Sequence, residues 1–210
     1  MTDRGAHWQD VYAGKAETEV SWFQPRPAVS LDFIAHGGFG PEARIVDVGG
    51  GASTLVDALL DQGFRDLTVL DIAPAALDRA KARLGGRAAG VDWVAADVGA
   101  WRPSAAFDLW HDRAVFHFLT DEDDRRAYRA TLAAALRPGG QAILATFAPD
   151  GPERCSGLPV RRWSADELAA EFAPHFTLAE SLAHEHVTPA GKVQRFTWVR
   201  LASPSATHRR

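Results

Sequence analysis

Arg44-Ile45-Val46-Asp47-Val48-Gly49-Gly50-Gly51-Ala52-Ser53 is the stretch on which the fold turns. Its β-branched residues follow Pro41 and read as a strand, which breaks into three glycines. Ser53 to Asp61 then reads as a helix, with Leu55, Leu59 and Leu60 at helical spacing and Gly63 beyond its end. Strand, glycine turn and helix in that order open a parallel strand–helix–strand unit. Downstream, Leu67 to Asp71 reads as a second strand, and Pro74 to Leu84 as a helix with proline in its first turn and Gly85-Gly86 as its stop. Val91 to Val94 and Phe107 to His111 read as strands. Asp121 to Leu136 reads as a helix whose acidic start, Asp121-Glu122-Asp123-Asp124, complements the helix dipole. Arg137-Pro138-Gly139-Gly140 reads as a stop, and Gln141 to Phe147 as a further strand. The alternation predicts an α/β class: a doubly wound, Rossmann-like, mostly parallel sheet with helices on both faces.

The two ends depart from that rhythm. Residues 1–40 hold Trp8, Tyr12, Trp22 and Phe23 with no clean period, which suggests a helical lid or wrap over the core. Ser164-Ala165-Asp166-Glu167-Leu168 is a capped helix start, with Glu167 at the capping-box position. Phe176 to Leu182 and Val193 to Val199 flank Pro189-Ala190-Gly191 and read as an antiparallel hairpin at the sheet edge, which brings the sheet to seven strands. Ala202 to Arg210 is expected to be a frayed tail.

Composition bounds the function. The chain has 210 residues, 46% hydrophobic and 24% charged, enough for one domain with a sizeable core. Its lone cysteine, Cys155, forms no internal disulfide, so a secreted disulfide framework is excluded. No apolar run reaches the roughly 18–20 residues of a membrane-spanning helix. The N-terminus has no apolar core behind a basic start, so no signal peptide is expected and the expected location is the cytoplasm. Net charge is −4, from 23 basic and 27 acidic residues, and neither half is net basic, so no nucleic-acid partner is expected.

The glycine turn carries the chemistry. Gly49, Gly50 and Gly51 let a ligand approach the backbone, with Ser53 at the helix start. Asp71 ends the second strand, where a carboxylate can accept both hydroxyls of a ribose, and Asp97 follows the third strand. The pattern departs from the dinucleotide fingerprint, because Thr54 stands where Gly or Ala belongs. Asp47 opens the loop with a negative charge, which repels a pyrophosphate and attracts an ammonium. A ligand combining a nucleoside with a positive charge suits the loop better than a diphosphate.

Asp47-Val48-Gly49-Gly50-Gly51, Asp71 and Asp97, with Leu136-Arg137-Pro138-Gly139-Gly140 before the fifth strand, resemble the class I S-adenosylmethionine-dependent methyltransferases across residues 40–150. The resemblance implies that S-adenosylmethionine is bound and S-adenosylhomocysteine released, with no metal expected. It implies that the glycine loop holds the methionyl part, Asp71 the ribose and Asp97 the adenine amine, while Ile72 packs on one adenine face and Val98 borders the ring. It also implies an antiparallel last strand, matching the hairpin. Residues 1–210 then form a single methyltransferase domain: lid 1–40, donor-binding core 41–150, acceptor-side loop, helix and hairpin 151–201, and tail 202–210.

The acceptor side is expected after the fourth strand, in Trp110-His111-Asp112-Arg113-Ala114. Asp112-Arg113 resembles the Asp-Arg-Gly segment of the thiopurine-type methyltransferases, which act on small sulfur, selenium or tellurium acceptors, although Ala114 replaces the glycine. Trp8, Tyr12 and Gly14 with Ser21-Trp22-Phe23-Gln24 resemble that group's opening. The same turn is also similar to the Asp-Lys-Gly segment of small lysine methyltransferases. Arg113, beside an acceptor thiol, lowers its pKa, and its alternative is an ion pair with Asp112. His111 is a candidate proton acceptor, with a satisfied partly buried histidine as the alternative. Trp22 is a candidate on both sides, as part of an aromatic cage over the donor methyl and as an acceptor contact. His117 and Phe118 are expected to pack on a helix face, and Cys155 to pack as a small hydrophobe. His184 and His186 share one strand face, a metal half-site by spacing, and are expected to be solvated or stacked instead.

The expected function is methyl transfer to a small nucleophilic acceptor, a thiol or other soft heteroatom, by a monomer or homodimer without membrane partners. A protein lysine methyltransferase is the alternative on the same fold. A nicotinamide-dependent reductase and an inactive donor-binding partner subunit are further alternatives.

Overall fold

A computed structural model describes residues 4–14 and 17–205. Strand β1 (Arg44–Val48) lies mid-sheet, parallel to β2 (Asp66–Asp71) on one side and to β4 (Phe107–Arg113) on the other. Outside β2 runs β3 (Val91–Ala95), and beyond β4 runs β5 (Leu136–Phe147), both parallel to their neighbours. β9 (Val193–Ala202) then pairs antiparallel with β5, and β8 (Thr177–Val187) pairs antiparallel with β9 at the edge. The order β3-β2-β1-β4-β5-β9-β8 is the doubly wound, mostly parallel seven-stranded sheet expected. β6 (Arg154–Cys155) and β7 (Leu158–Pro159) make a separate short hairpin.

Alternation along the strands divides the core into two layers. Ile45, Val69, Leu109 and Ile143 face one layer, with α2 (Ala28–His36), α3 (Leu55–Asp61) and α4 (Pro74–Leu84). Val46, Leu70, Trp110 and Leu144 face the other, with α5 (Glu122–Ala135) and α6 (Ala165–Phe172). The N-terminal α1 (Arg4–Gly14) packs on α4. Asp121 caps α5 by accepting from the Asp123 N–H, and Ser164 with Glu167 forms a complete capping box on α6.

Several boundaries differ from the sequence reading. α3 begins at Leu55 because the Ser53 hydroxyl accepts the Leu55 N–H from outside the helix. The segment Arg137–Gly140 belongs to β5 rather than standing as a break, with the irregularity taken up by Gly139 at φ +79° and a register shift between Phe107 and Leu109. Residues 202–205 are tied down, since Gly139 N donates to Pro204 O and Ser203 N to Gly140 O. The remainder of the expected tail lies outside the described residues. No described helix is long and apolar enough to cross a membrane.

The even-numbered face of β4 carries a buried polar group that the layer must satisfy. Asp112 is fully buried and accepts from Val115 N, Phe116 N and Tyr128 Oη, while Trp110 Nε1 donates to the same tyrosine. Burial pushes the Asp112 carboxyl up to about 6 in spite of these donors. Tyr128→Phe is expected to lower stability by about 1–3 kcal/mol, because it takes a donor from a buried carboxylate. Urea unfolding of the two proteins at neutral pH measures it.

Candidate active site

The carboxyl ends of β1, β2, β3 and β4 converge on one cleft, which encloses about 900 Å³ with its open mouth included. The chain leaves β1 through Gly49 and Gly50, whose N–H groups both reach Leu70 O on β2, at 2.7 and 3.3 Å. Glycine is required here on two grounds. Gly49 sits at φ +66°, and a Cβ on it would fall 2.1 Å from Val115 Cγ2. A Cβ on Gly51 would fall 2.5 Å from Asp71 Oδ2.

Of the residues singled out in sequence, Gly49, Asp71, Ile72, Asp97, Val98, Trp22 and Arg113 line this cleft together, and so does Cys155. Asp71 is buried and accepts from Ala73 N, and Asp97 is exposed and accepts from Gly99 N. Asp47, Gly50 and Gly51 lie beneath the lining, and Ser53 with Thr54 borders a small adjoining hollow that also reaches Trp22 and Arg113. His111 does not line the cleft. It is buried under the loop, with Nδ1 2.7 Å from Asp47 Oδ1 and Nε2 3.0 Å from Ser30 Oγ, so both ring nitrogens are engaged. Arg113 donates through Nη1 to Trp22 O, and its Nη2 is buried without a partner among the described residues. Among the described residues it forms no ion pair with Asp112, whose side chain leaves β4 on the opposite face. Burial lowers the Arg113 guanidinium to about 10, with Asp47 opposing the shift. The following residue, Ala114, adopts φ +73°, a left-handed conformation that favours glycine.

The N-terminal segment roofs the cleft. Trp8 meets Trp22 and Phe118 edge-on, with centroids 5.7 and 5.0 Å apart, and Tyr12 meets Trp22 at 6.0 Å. Phe23 lies away from the cleft, at the adjoining hollow. Polar ties that hold the roof include Ala75 N to Gln9 Oε1, Thr54 Oγ1 to Gln24 O, Arg113 to Trp22 O, and His186 Nε2 to Ser21 O. Arg4, also in the lining, pairs with Asp124 of α5 at 2.9 Å. Phe118 is therefore a cleft residue rather than helix-face packing, because Phe116–Phe118 is a short 3-10 turn. His117 is buried beneath it and pushed down to about 3 by burial, with Arg113 adding to the shift. Phe147, Gln194 and Phe196 complete the wall. No sequence signal marked them, since strand alternation says which residues are buried but not which border a cleft.

The donor set suits a nucleoside carrying a cationic amino-acid end. It offers a buried carboxylate at the β2 end, a second at the β3 end with Ile72 and Val98 beside them, and a glycine turn over an unmatched Asp47 oxygen.

A profile described as a methyltransferase domain matches residues 45–140. Nodulation protein S of Rhizobium tropici is 33% identical over 104 residues, covering 50% of this chain and 43% of that protein. Trans-aconitate 2-methyltransferase of Rhizobium leguminosarum bv. trifolii is 31% identical over 170 residues, covering 80% of this chain and 60% of that one. The chain thus spans about half the length of these curated relatives. Among solved structures, Burkholderia thailandensis 1,6-didemethyltoxoflavin-N1-methyltransferase, with 1,6-didemethyltoxoflavin and S-adenosylhomocysteine bound, superposes with a TM-score of 0.68 at 26% identity. That match covers 95% of this chain and 84% of the other.

Burial, with Asp47 adding to it, raises the Asp71 carboxyl to about 7 against the Ala73 and Ile72 N–H groups. Between about pH 4 and 7 the folded protein therefore keeps a proton that the unfolded chain has released, and stability falls as pH rises through that window. Thermal unfolding of the ligand-free protein is expected to show this fall, and Asp71→Asn to flatten it by several degrees.

Proposed function

The chain belongs to the class I S-adenosylmethionine-dependent methyltransferases, and on that premise we propose that it moves a methyl group from S-adenosylmethionine to a small nucleophilic molecule, a thiol or related soft heteroatom. The observation that carries this reading is the single cleft in which Asp71, Asp97 and Gly49 meet Arg113 under an aromatic roof. The names of the Rhizobium leguminosarum and Burkholderia relatives refer to small molecules, which supports an acceptor of that size.

When bound, the donor supplies a methyl already activated on a sulfonium and leaves as a neutral thioether. The chain's own work is then alignment and exclusion of water, of which alignment contributes on the order of 7–11 kcal/mol. Asp71 accepts the ribose hydroxyls, Asp97 takes the adenine amine, and Ile72 and Val98 flank the base. Gly49, Gly50 and Gly51 seat the methionyl end. Trp8, Tyr12, Trp22 and Phe118 close the cleft against water. Arg113 stands where a deprotonated acceptor gains from a cation, since a neighbouring positive charge lowers a thiol's pKa. The same arginine weighs against a lysine acceptor, because a cationic side chain entering beside Arg113 meets like charge. Cys155, which lines the cleft as well, gives the wall a soft, apolar atom.

Labelled methyl from S-adenosylmethionine, offered with a cell extract and then separated by size, is expected in the small or volatile fraction. Label on macromolecules overturns the small-acceptor reading, and no transfer at all supports an inactive donor-binding subunit. Arg113→Ala is expected to lower kcat about a hundredfold while leaving the donor Kd within about threefold. An equal loss of donor affinity moves Arg113 from the acceptor to the donor's carboxylate.

A further inference from the structure

His111 is buried, faces no acceptor space and has both ring nitrogens occupied, so it is placed to hold something rather than to take a proton from an acceptor. The register explains its partner: Asp47 of β1 and His111 of β4 are directly opposed in a parallel pair, and their side chains leave the sheet on the same face. A carboxylate can only accept, so Nδ1 carries the proton of the 2.7 Å bond to Asp47 Oδ1. Ser30, on α2, fixes the far side of the ring at Nε2. The chain Ser30–His111–Asp47 thus runs from a helix across one face of the sheet to the underside of the glycine loop.

What this chain leaves open is Asp47 Oδ2. That atom is buried and has no hydrogen-bond partner among the described residues. It lies directly under the loop, since a Cβ on Gly50 would fall 2.5 Å from it. A buried carboxylate oxygen without a donor is costly, and a ligand ammonium at the loop removes that cost, directly or through one water. We propose that His111, held by Ser30, is a positioning residue of the donor site: it fixes Asp47 so that Oδ2 receives the α-ammonium group of the donor's amino-acid end. This assignment rests on the methyltransferase reading and takes His111 out of the acceptor side.

Calorimetric binding of two compounds to the intact protein separates the two ideas. S-Adenosylhomocysteine carries the amino-acid end, and 5′-methylthioadenosine keeps the nucleoside and thioether without it. The wild-type protein is expected to bind S-adenosylhomocysteine the more tightly. His111→Leu is expected to weaken S-adenosylhomocysteine tenfold or more, leaving 5′-methylthioadenosine within about twofold. His111→Asn, whose amide N–H can still donate to Asp47, is expected to recover most of the loss. Ser30→Ala, a milder change that leaves the sheet intact, is expected to cost S-adenosylhomocysteine alone two- to fivefold. Equal weakening of both compounds, or no change for S-adenosylhomocysteine in Ser30→Ala and His111→Leu, overturns the assignment. Failure of the wild-type protein to bind either compound overturns the methyltransferase reading instead.

Discussion

The parallel register of β1 and β4 is the constraint on which the rest of the molecule depends. It sets Asp47 against His111 and Val48 against Asp112 at the centre of a sheet covered on both faces. Both carboxylates are buried, so each draws on donors from the protein. Because side chains alternate, the two acids leave the sheet on opposite faces and draw on different layers. Asp47 uses a histidine and, through it, a serine on α2; Asp112 uses Tyr128 and the two N–H groups of the turn that follows β4. A slip of one residue would send every side chain of β4 to the wrong face, separating both acids from their donors as well as breaking the apolar layers. Polar matching and hydrophobic packing therefore specify the same pairing.

The roof over the cleft is held on different terms. Trp8, Tyr12, Trp22 and Phe118 touch one another by ring edges, and beside them lie single hydrogen bonds such as Ala75 N to Gln9 Oε1, worth about 1 kcal/mol, and the partly exposed Arg4–Asp124 ion pair. Tyr12 is the one residue of α1 that is buried. By contrast, the strands below carry fully buried Trp110, Ile45, Leu109 and Leu144. The roof thus has less to lose on separating than the strands beneath it, and it covers the cleft.

The fold was legible in the sequence because its signals are local. Strand runs rich in Val, Ile and Leu, the glycines after β1, Pro74 in the first turn of α4 and the Ser164–Glu167 capping box each act over a few residues, and each lies where the reading places it. That Asp71 and Asp97 border one cleft was legible for a related reason, since residues at successive strand ends of a parallel sheet share one edge. The pairing of β2 with β3 alone brings the two together. The rest of the lining was less legible. His111 and Arg113 are two apart on β4, and sequence proximity to a strand end does not say how deep each side chain lies. Ser30, Phe147 and Phe196 come from α2, β5 and β9, and only the tertiary packing of those elements brings them to the site. The extension of β5 through Arg137–Gly140 was hidden by glycines that signal a turn, and Gly139 does take a positive φ there.

Unfavourable features are concentrated at one end of the sheet. Asp71 is held above the ordinary carboxylate range and Arg113 below the ordinary guanidinium range, each chiefly by burial. Ala114 takes a left-handed conformation that costs an L-residue about 1–2 kcal/mol, and Asp47 Oδ2 and Arg113 Nη2 are buried without partners. Away from the cleft, partly exposed charged groups are matched: Arg83 forks onto Asp57 with further bonds to the backbone of Ala52 and Ser53, and Glu180 meets both His36 and Arg200. Buried side-chain atoms without partners occur elsewhere among the described residues as well, at Thr146 Oγ1, Trp163 Nε1 and Trp198 Nε1, but those side chains are neutral. A buried anion and a buried cation at adjoining strand ends, each with one polar atom unmatched among the described residues, are further stabilised when a ligand brings groups of opposite charge. That makes the cleft less stable when empty than when filled, which is the physical condition for a site built to hold a ligand with a charged end.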